Sequence, residues 1–117
     1  MLPIILIGEM ARTPNQPQSI LRTDEATKRV RELAESSSNV IFTDHAREQG
    51  RARDISTEDV MRILRSGFIN DAPIAEDGKW KVKVLFKLRG QRDAGVVALI
   101  LWQGKLVIKT VEWEDWK

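Results

Sequence analysis

The stretch from Lys79 to Leu88 alternates almost without error: Trp80, Val82, Val84, Phe86 and Leu88 hold one parity, and Lys79, Lys81, Lys83, Leu85 and Lys87 hold the other. Side chains of a strand point to opposite faces in turn, so this segment reads as a long strand with one core-facing side and one cationic side. Its surroundings extend the pattern. Asp77-Gly78 is a strong hairpin signal, and the tract before it, Phe68 to Ile74, reads as a strand interrupted by Pro73. A polar loop, Arg89 to Gly95, leads to Val96–Trp102, apolar on both parities and therefore expected to be a central strand covered on both sides. Gln103-Gly104 is expected as a two-residue turn into a last strand, Lys105–Trp113.

The preceding part of the chain changes period. Ala26, Val30, Leu33 and Ala34 recur at helical spacing after Thr23, with Asp24 and Glu25 favourably placed in a first turn, and Ser36 to Asn39 closes the segment. Val40, Ile41 and Phe42 form a short apolar run that ends at Thr43 and Asp44, either of which can cap a helix starting near His45. Ser56 with Asp59 three residues on resembles a capping box, with Asp in place of the usual Glu or Gln, ahead of Val60, Met61, Ile63 and Leu64, and Gly67 is expected to end that helix. The expected fold is α+β, with the helices packed on one face of a four-stranded antiparallel meander. Residues 1–22 read as an arm, in which apolar Pro3–Ile7 can add an edge strand or dock on a groove and Thr13–Gln18 is an irregular linker. Residues 23–117 read as a single domain.

Composition narrows the chemistry. The chain has no cysteine and no tyrosine, and His45 is its one histidine. Disulfides, thiolate nucleophiles and thiolate metal sites are excluded together, in keeping with a reducing cytoplasm. Histidine is the side chain that exchanges protons near neutral pH, so His45 is the first candidate for acid–base work. The apolar run at residues 2–7 is too short for a signal peptide or a membrane span. Asp44, His45 and Glu48 lie close together, yet one histidine without recognised ligand spacing does not make a metal site, and no phosphate-binding glycine loop or other cofactor motif is present. Of the tryptophans, Trp80 and Trp102 are expected in the core.

The net charge of +2 conceals an asymmetry, because Gly78–Val111 holds eight Lys and Arg against one Asp. Clustered positive charge is the footprint of an anionic partner. Alternate lysines on a strand lie about 7 Å apart, comparable to phosphate spacing along a nucleic-acid strand, which makes Lys79, Lys81, Lys83 and Lys87 candidate backbone contacts. The plainer alternative is a solvated sheet face whose lysines guard against aggregation. RNA cleavage without a metal needs a base, an acid and cations on the phosphorane. His45 can serve as base or acid, Lys81, Lys83, Arg89, Arg92 or Lys109 can supply cations, and Asp44, Glu48 and Glu112 are the candidates for the second proton-transfer group. The rival expectation is a non-catalytic interaction module whose basic sheet face docks an acidic protein.

The segment Phe42-Thr-Asp-His-Ala-Arg-Glu, continuing to Arg53 and to Ile55-Ser56-x-Glu58-Asp59-Val60, with Gly67 beyond, resembles domain of unknown function 4258, a group of small bacterial proteins. Later parts agree: Lys79-Trp-Lys-Val after a turn, Arg92 before a Val-Val strand, and Leu106-Val-Ile-Lys-Thr-Val-Glu-Trp at the end. The resemblance implies a fold similar to the RelE, barnase, EndoU and colicin (BECR) ribonucleases, and a toxin-like, metal-independent ribonuclease without a cofactor. Its implied partners are RNA, including ribosome-bound RNA, and an antitoxin protein. The family's histidine falls on His45, its helix arginine on Arg53 and its strand basic residue on Lys81 or Arg92. Two positions depart from the pattern: Gly50 stands where an apolar residue is usual, and Asp54 where glycine is usual.

Overall fold

The computed structural model describes residues 20–115; residues 1–19, with nearly all of the expected arm, and residues 116–117, with Trp116, lie outside that range. Three helices form where the period of the sequence places them: α1 (Thr23–Ala34), α2 (Asp44–Ala52) and α3 (Thr57–Ser66). Ala26, Val30 and Ala34 give α1 its buried stripe, and Val60, Ile63 and Leu64 give α3 its own. Helix starts leave backbone N–H groups without intrahelical partners. At α2 the Thr43 hydroxyl oxygen accepts the Ala46 N–H at 3.1 Å. At α3 Ser56 and Asp59 exchange hydrogen bonds of 3.0 Å each, the reciprocal pair of a capping box.

The carbonyl ends of α1 and α3 are closed by arginines from each other. Arg31 of α1 donates to the Gly67 carbonyl at 2.7 and 3.1 Å and to that of Ser66 at 3.2 Å, while Arg65 of α3 donates to the Ala34 carbonyl at 2.8 Å. Cationic donors at helix C-termini satisfy orphan carbonyls and oppose the negative end of the dipole. The exchange fastens the two helices side by side.

The sheet corrects the expected four-stranded antiparallel meander: it has six strands and is mixed. They are β1 (Val40–Phe42), β2 (Phe68–Ile69), β3 (Ile74–Glu76), β4 (Lys79–Leu88), β5 (Arg92–Ile100) and β6 (Leu106–Trp113). Their order is β1-β6-β5-β4-β2, with β3 also on β4. The added β1 lies parallel to β6, with Val40, Ile41 and Phe42 opposite Leu106, Val107 and Ile108. Three residues are too few to display a period, and a parallel neighbour requires a long crossover, here the chain through α2 and α3. The expected strand from Phe68 to Ile74 is two short ones on the same side of β4, because Pro73 between them has no N–H for a ladder.

Local details differ for similar reasons. Asp77 and Gly78, with φ of 51° and 76°, adopt the left-handed pair of a type I′ hairpin as expected. Strand β5 begins at Arg92 rather than Val96, since a 3₁₀ turn over Arg89–Gln91 reverses the chain and sets Asp93 opposite Lys87. The β5–β6 loop is one residue longer than a two-residue turn: Leu101 N–H reaches the Lys105 carbonyl at 2.9 Å around Trp102–Gly104. Trp102 at its tip is 44% exposed, against the core position expected; Trp80 is half-buried and Trp113 buried. In β5, Ala94, Val96, Ala98 and Ile100 are buried in the core with the helices, whereas Val97 and Leu99 of the other parity are only half-buried. Strand β5 is central, but among the described residues helices cover one face of it alone. No helix among the described residues is long and apolar enough to cross a membrane.

Arg31→Ala removes three hydrogen bonds from a charged donor and should lower the unfolding free energy by about 1–3 kcal/mol in urea denaturation. Arg31→Lys should recover little of it, since one ammonium does not reproduce the planar fork.

Candidate nucleic-acid interface

The sheet's cations do not stand free. Lys81 pairs with Glu76 at 3.4 Å, Lys83 with Glu112 at 3.0 Å and Glu114 at 2.8 Å, and Lys87 with Asp93 at 2.9 Å. Lys109 lies 3.9 Å from Glu76, and Lys79 donates to the Asp77 carbonyl at 3.3 Å. Arg89 meets Asp59 at 2.6 Å, and Arg92 holds Asp115 through two nitrogens at 2.9 and 3.1 Å. The block of positive charge visible along the chain is thus interleaved with carboxylates that strand register brings across from Glu76, Asp93 and the end of β6. Partial burial disfavours the charge on Lys83, but hydrogen bonds and attraction from Glu114 and Glu112 outweigh it and raise its pKa above the ordinary lysine value. Arg92 is likewise shifted upward, through its hydrogen bonds to Asp115.

The predicted site residues separate into three groups. Lys79, Lys81, Lys83, Lys87 and Lys109 belong to the sheet. Arg53, Arg89 and Arg92 converge on Trp113: its indole N–H donates to the Arg53 carbonyl at 2.8 Å, and the guanidinium carbons of Arg92 and Arg89 lie 4.2 and 5.9 Å from the ring centroid. The Arg53 side chain also donates to the Val111 carbonyl at 2.7 Å, beside Gln49, whose side-chain oxygen accepts the Val111 N–H at 2.9 Å. His45 stands apart, exposed in the first turn of α2, with no hydrogen bond or ion pair among the described residues. It follows β1, and β1 is three strand positions from β4, about 14 Å at ordinary sheet spacing. The structure does not bring His45 and the lysine row into one site.

It does assemble a site that the sequence reading passed over. A cleft of about 460 Å³ opens between α2 and α3, lined by Phe42, Arg47, Arg51, Ile55, Ser56 and Thr57 among others. Arg47 and Arg51 are one helical turn apart on the same flank of α2, and the Arg47 guanidinium carbon sits 5.3 Å from the centroid of the Phe42 ring. Neither arginine is paired with a carboxylate among the described residues. The i, i+4 spacing of Arg47 and Arg51 is the sequence signal of this pair. At about 100° per residue His45 projects from the opposite flank of α2, near Glu48.

The turn that shapes this cleft is set by Gly50 in the last turn of α2 and by Asp54 in the linker to α3. Asp54 has a φ of 57°, the left-handed conformation in which glycine is at ease and aspartate is tolerated. Gly50 accepts the Ile55 N–H at 2.8 Å on its carbonyl, and a Cβ at position 50 would stand 2.6 Å from the Ile55 carbonyl oxygen. Backbone contact at Gly50 sets the turn from α2 into α3. Among the described residues no group of three or more His, Cys, Asp or Glu is arranged to hold a metal ion.

Asp59 connects the α3 cap to Arg89. Burial raises its pKa, but the hydrogen bonds from Ser56 and the charge of Arg89 prevail and hold it below the ordinary aspartate value. A depressed folded-state pKa contributes stability above the unfolded-state value and loses it as pH falls through the folded one. Asp59→Asn should cost about 1 kcal/mol near neutral pH, the usual size of a lost cap. The wild-type advantage should shrink as the pH drops below about 4, measured by urea unfolding across an acid series.

No curated protein and no solved structure matches the chain. One family model does: Domain of unknown function (DUF4258), over residues 42–113, which runs from Phe42 at the end of β1 through the α2–α3 pair and its cleft to the end of β6. The chain belongs to the DUF4258 family.

Proposed function

We propose that the protein is a toxin-like RNA-binding ribonuclease that holds single-stranded RNA at the α2–α3 cleft. The observation that carries this reading is the combination of Phe42, Arg47 and Arg51 on one concave surface, with both guanidiniums unmatched by carboxylates among the described residues. An aromatic ring with an arginine over it offers a base a stacking platform, and a second arginine one turn on offers the adjoining phosphate a forked donor. Ser56 and Thr57 add hydroxyls at the rim. The sheet lysines contribute secondary electrostatic attraction, because each exposed pair is weak and can exchange its carboxylate for a phosphate.

In this reading His45 is the proton-transfer group, acting on a strand that leaves the cleft across the N-terminal end of α2. Glu48, one turn away on the same flank, is the second group: one removes the 2′-hydroxyl proton and the other protonates the 5′-oxygen. Arg47 and Arg51 anchor the neighbouring phosphate in the cleft and so fix where the strand crosses His45 and Glu48. Such cleavage places the work in the cytoplasm, on free or ribosome-bound RNA, with an antitoxin as the natural restraint. Kinship with the BECR ribonucleases is part of the same proposal, supported by helices stacked on one face of a largely antiparallel sheet. The alternative, an interaction module whose lysine row docks an acidic protein, has less support, since Lys81, Lys83 and Lys87 already face carboxylates.

Three variants separate these roles, each compared with wild type for RNA binding, RNA cleavage and thermal unfolding. Arg47→Ala with Arg51→Ala should lose about tenfold or more in RNA affinity, on the scale of two charge-assisted contacts. His45→Ala should bind RNA normally and lose cleavage. Lys81→Glu with Lys83→Glu should weaken binding only modestly and mainly at low salt. Unchanged affinity in the double arginine variant would sink the cleft reading, and unchanged cleavage in His45→Ala would sink its catalytic half.

A further inference from the structure

The sheet face turned away from the helices carries an apolar row at one end. Strand register aligns Ile41, Val107, Leu99, Lys81 and Ile74 across β1, β6, β5, β4 and β3. Ile41 is 46% and Ile74 56% exposed, and Val107 and Leu99 between them are half-buried. The one charge in the row, on Lys81, is answered by Glu76, and the lysine stem joins the aliphatic surface. Four strand spacings make the row about 19 Å long.

We propose that this row is the docking site of the chain's own Pro3–Ile7. The segment is Pro-Ile-Ile-Leu-Ile, five apolar residues in succession, so it presents aliphatic side chains to the sheet whichever parity faces inward. Extended, it spans about 17 Å, close to the length of the row. The described chain begins at the right place. Ile20, 84% exposed, lines a rim groove between α1 (Glu25, Arg29, Leu33) and the end of the sheet (Trp80, Leu101, Trp102), the end at which Leu99 and Val107 lie, so the chain leaving it has only to round that end to reach the open face. The thirteen residues from Ile7 to Ile20 can reach about 43 Å, well beyond the roughly 10 Å needed to pass from that rim onto the open face. Arg12 to Ser19 between them offers no large aliphatic side chain to compete for the row. Because Glu76 already neutralises Lys81, covering the row buries no unpaired charge. The open face is then occupied by the protein itself, and the parity of β5 that the helices leave uncovered gains its second layer.

The absence of native cysteine permits a direct test on the full chain, in which Met10→Cys carries a single nitroxide spin label. Methyl NMR signals of Ile41, Ile74, Leu99 and Val107 should be lost to paramagnetic broadening, while those of Val30 and Ile63 on the helical side persist. Adding Ile5→Asp and Leu6→Asp to the labelled chain should restore the row's signals. Sharp signals from the row in the labelled chain overturn the proposal and leave the face to a separate partner. Broadening that survives the two aspartates overturns it as well. Broadening of the row in an unlabelled, isotope-enriched chain mixed with spin-labelled chain would name a second copy as the occupant instead. RNA binding enters none of these readouts, so the outcome is independent of the function proposed for the cleft.

Discussion

The outer edge of β6 is the constraint around which the rest of this protein is arranged. A strand edge leaves backbone donors and acceptors that must find partners or stay in water. β1 satisfies that edge only as far as Ile108. Beyond it the chain uses side chains: Thr43 donates to the Ile108 carbonyl through its N–H at 3.3 Å and its hydroxyl at 2.8 Å, and Gln49 and Arg53 take the Val111 N–H and carbonyl. Two residues of a helix thereby reproduce the pairing of a missing strand. Because Gln49 and Arg53 lie one turn apart, the clamp fixes the rotation of α2 as well as its position. That rotation sends Arg47 and Arg51 to the cleft side and His45 to the other.

Electrostatics on the opposite face follow a different logic. The lysines of β4 form a row because a strand displays alternate residues together, and the same register delivers Asp93 opposite Lys87 and Glu76 beside Lys81. Each ion pair contributes little by itself. Together they turn a face that looks strongly cationic in linear sequence into a mixed one. Arg53, Arg89 and Arg92 show the same economy, packed about Trp113 or bonded to backbone and carboxylate. A cation's place in a sequence pattern says less about its availability than the acid standing across from it.

The linker between α2 and α3 connects packing to the site. Ile55 returns its N–H to the Gly50 carbonyl, and the close approach of backbone there leaves no room for a side chain at position 50. Asp54 then carries the left-handed conformation that ends the helix, at a position where its own small polar side chain makes the strain tolerable. Gly50 and Asp54 thus belong to one turn, and both line the cleft that it borders.

By itself the sequence determined the elements whose signal is local: the three helices, with a cap at Ser56 and one at Thr43 or Asp44, the alternating strand β4, the Asp77-Gly78 hairpin, and the position of His45 at the start of α2. Hydrophobic period, capping chemistry and left-handed turn preference all act within a few residues, so they can be read in one dimension. Tertiary structure alone decided the parallel pairing of Val40–Phe42, the splitting of the edge strand around Pro73, the carboxylates that answer Lys81, Lys83, Lys87 and Lys109, and the cleft that joins Phe42, Arg47 and Arg51. Those depend on register between segments up to tens of residues apart. A shift of one residue in such a pairing would exchange the two faces of a strand, and no local preference encodes that choice.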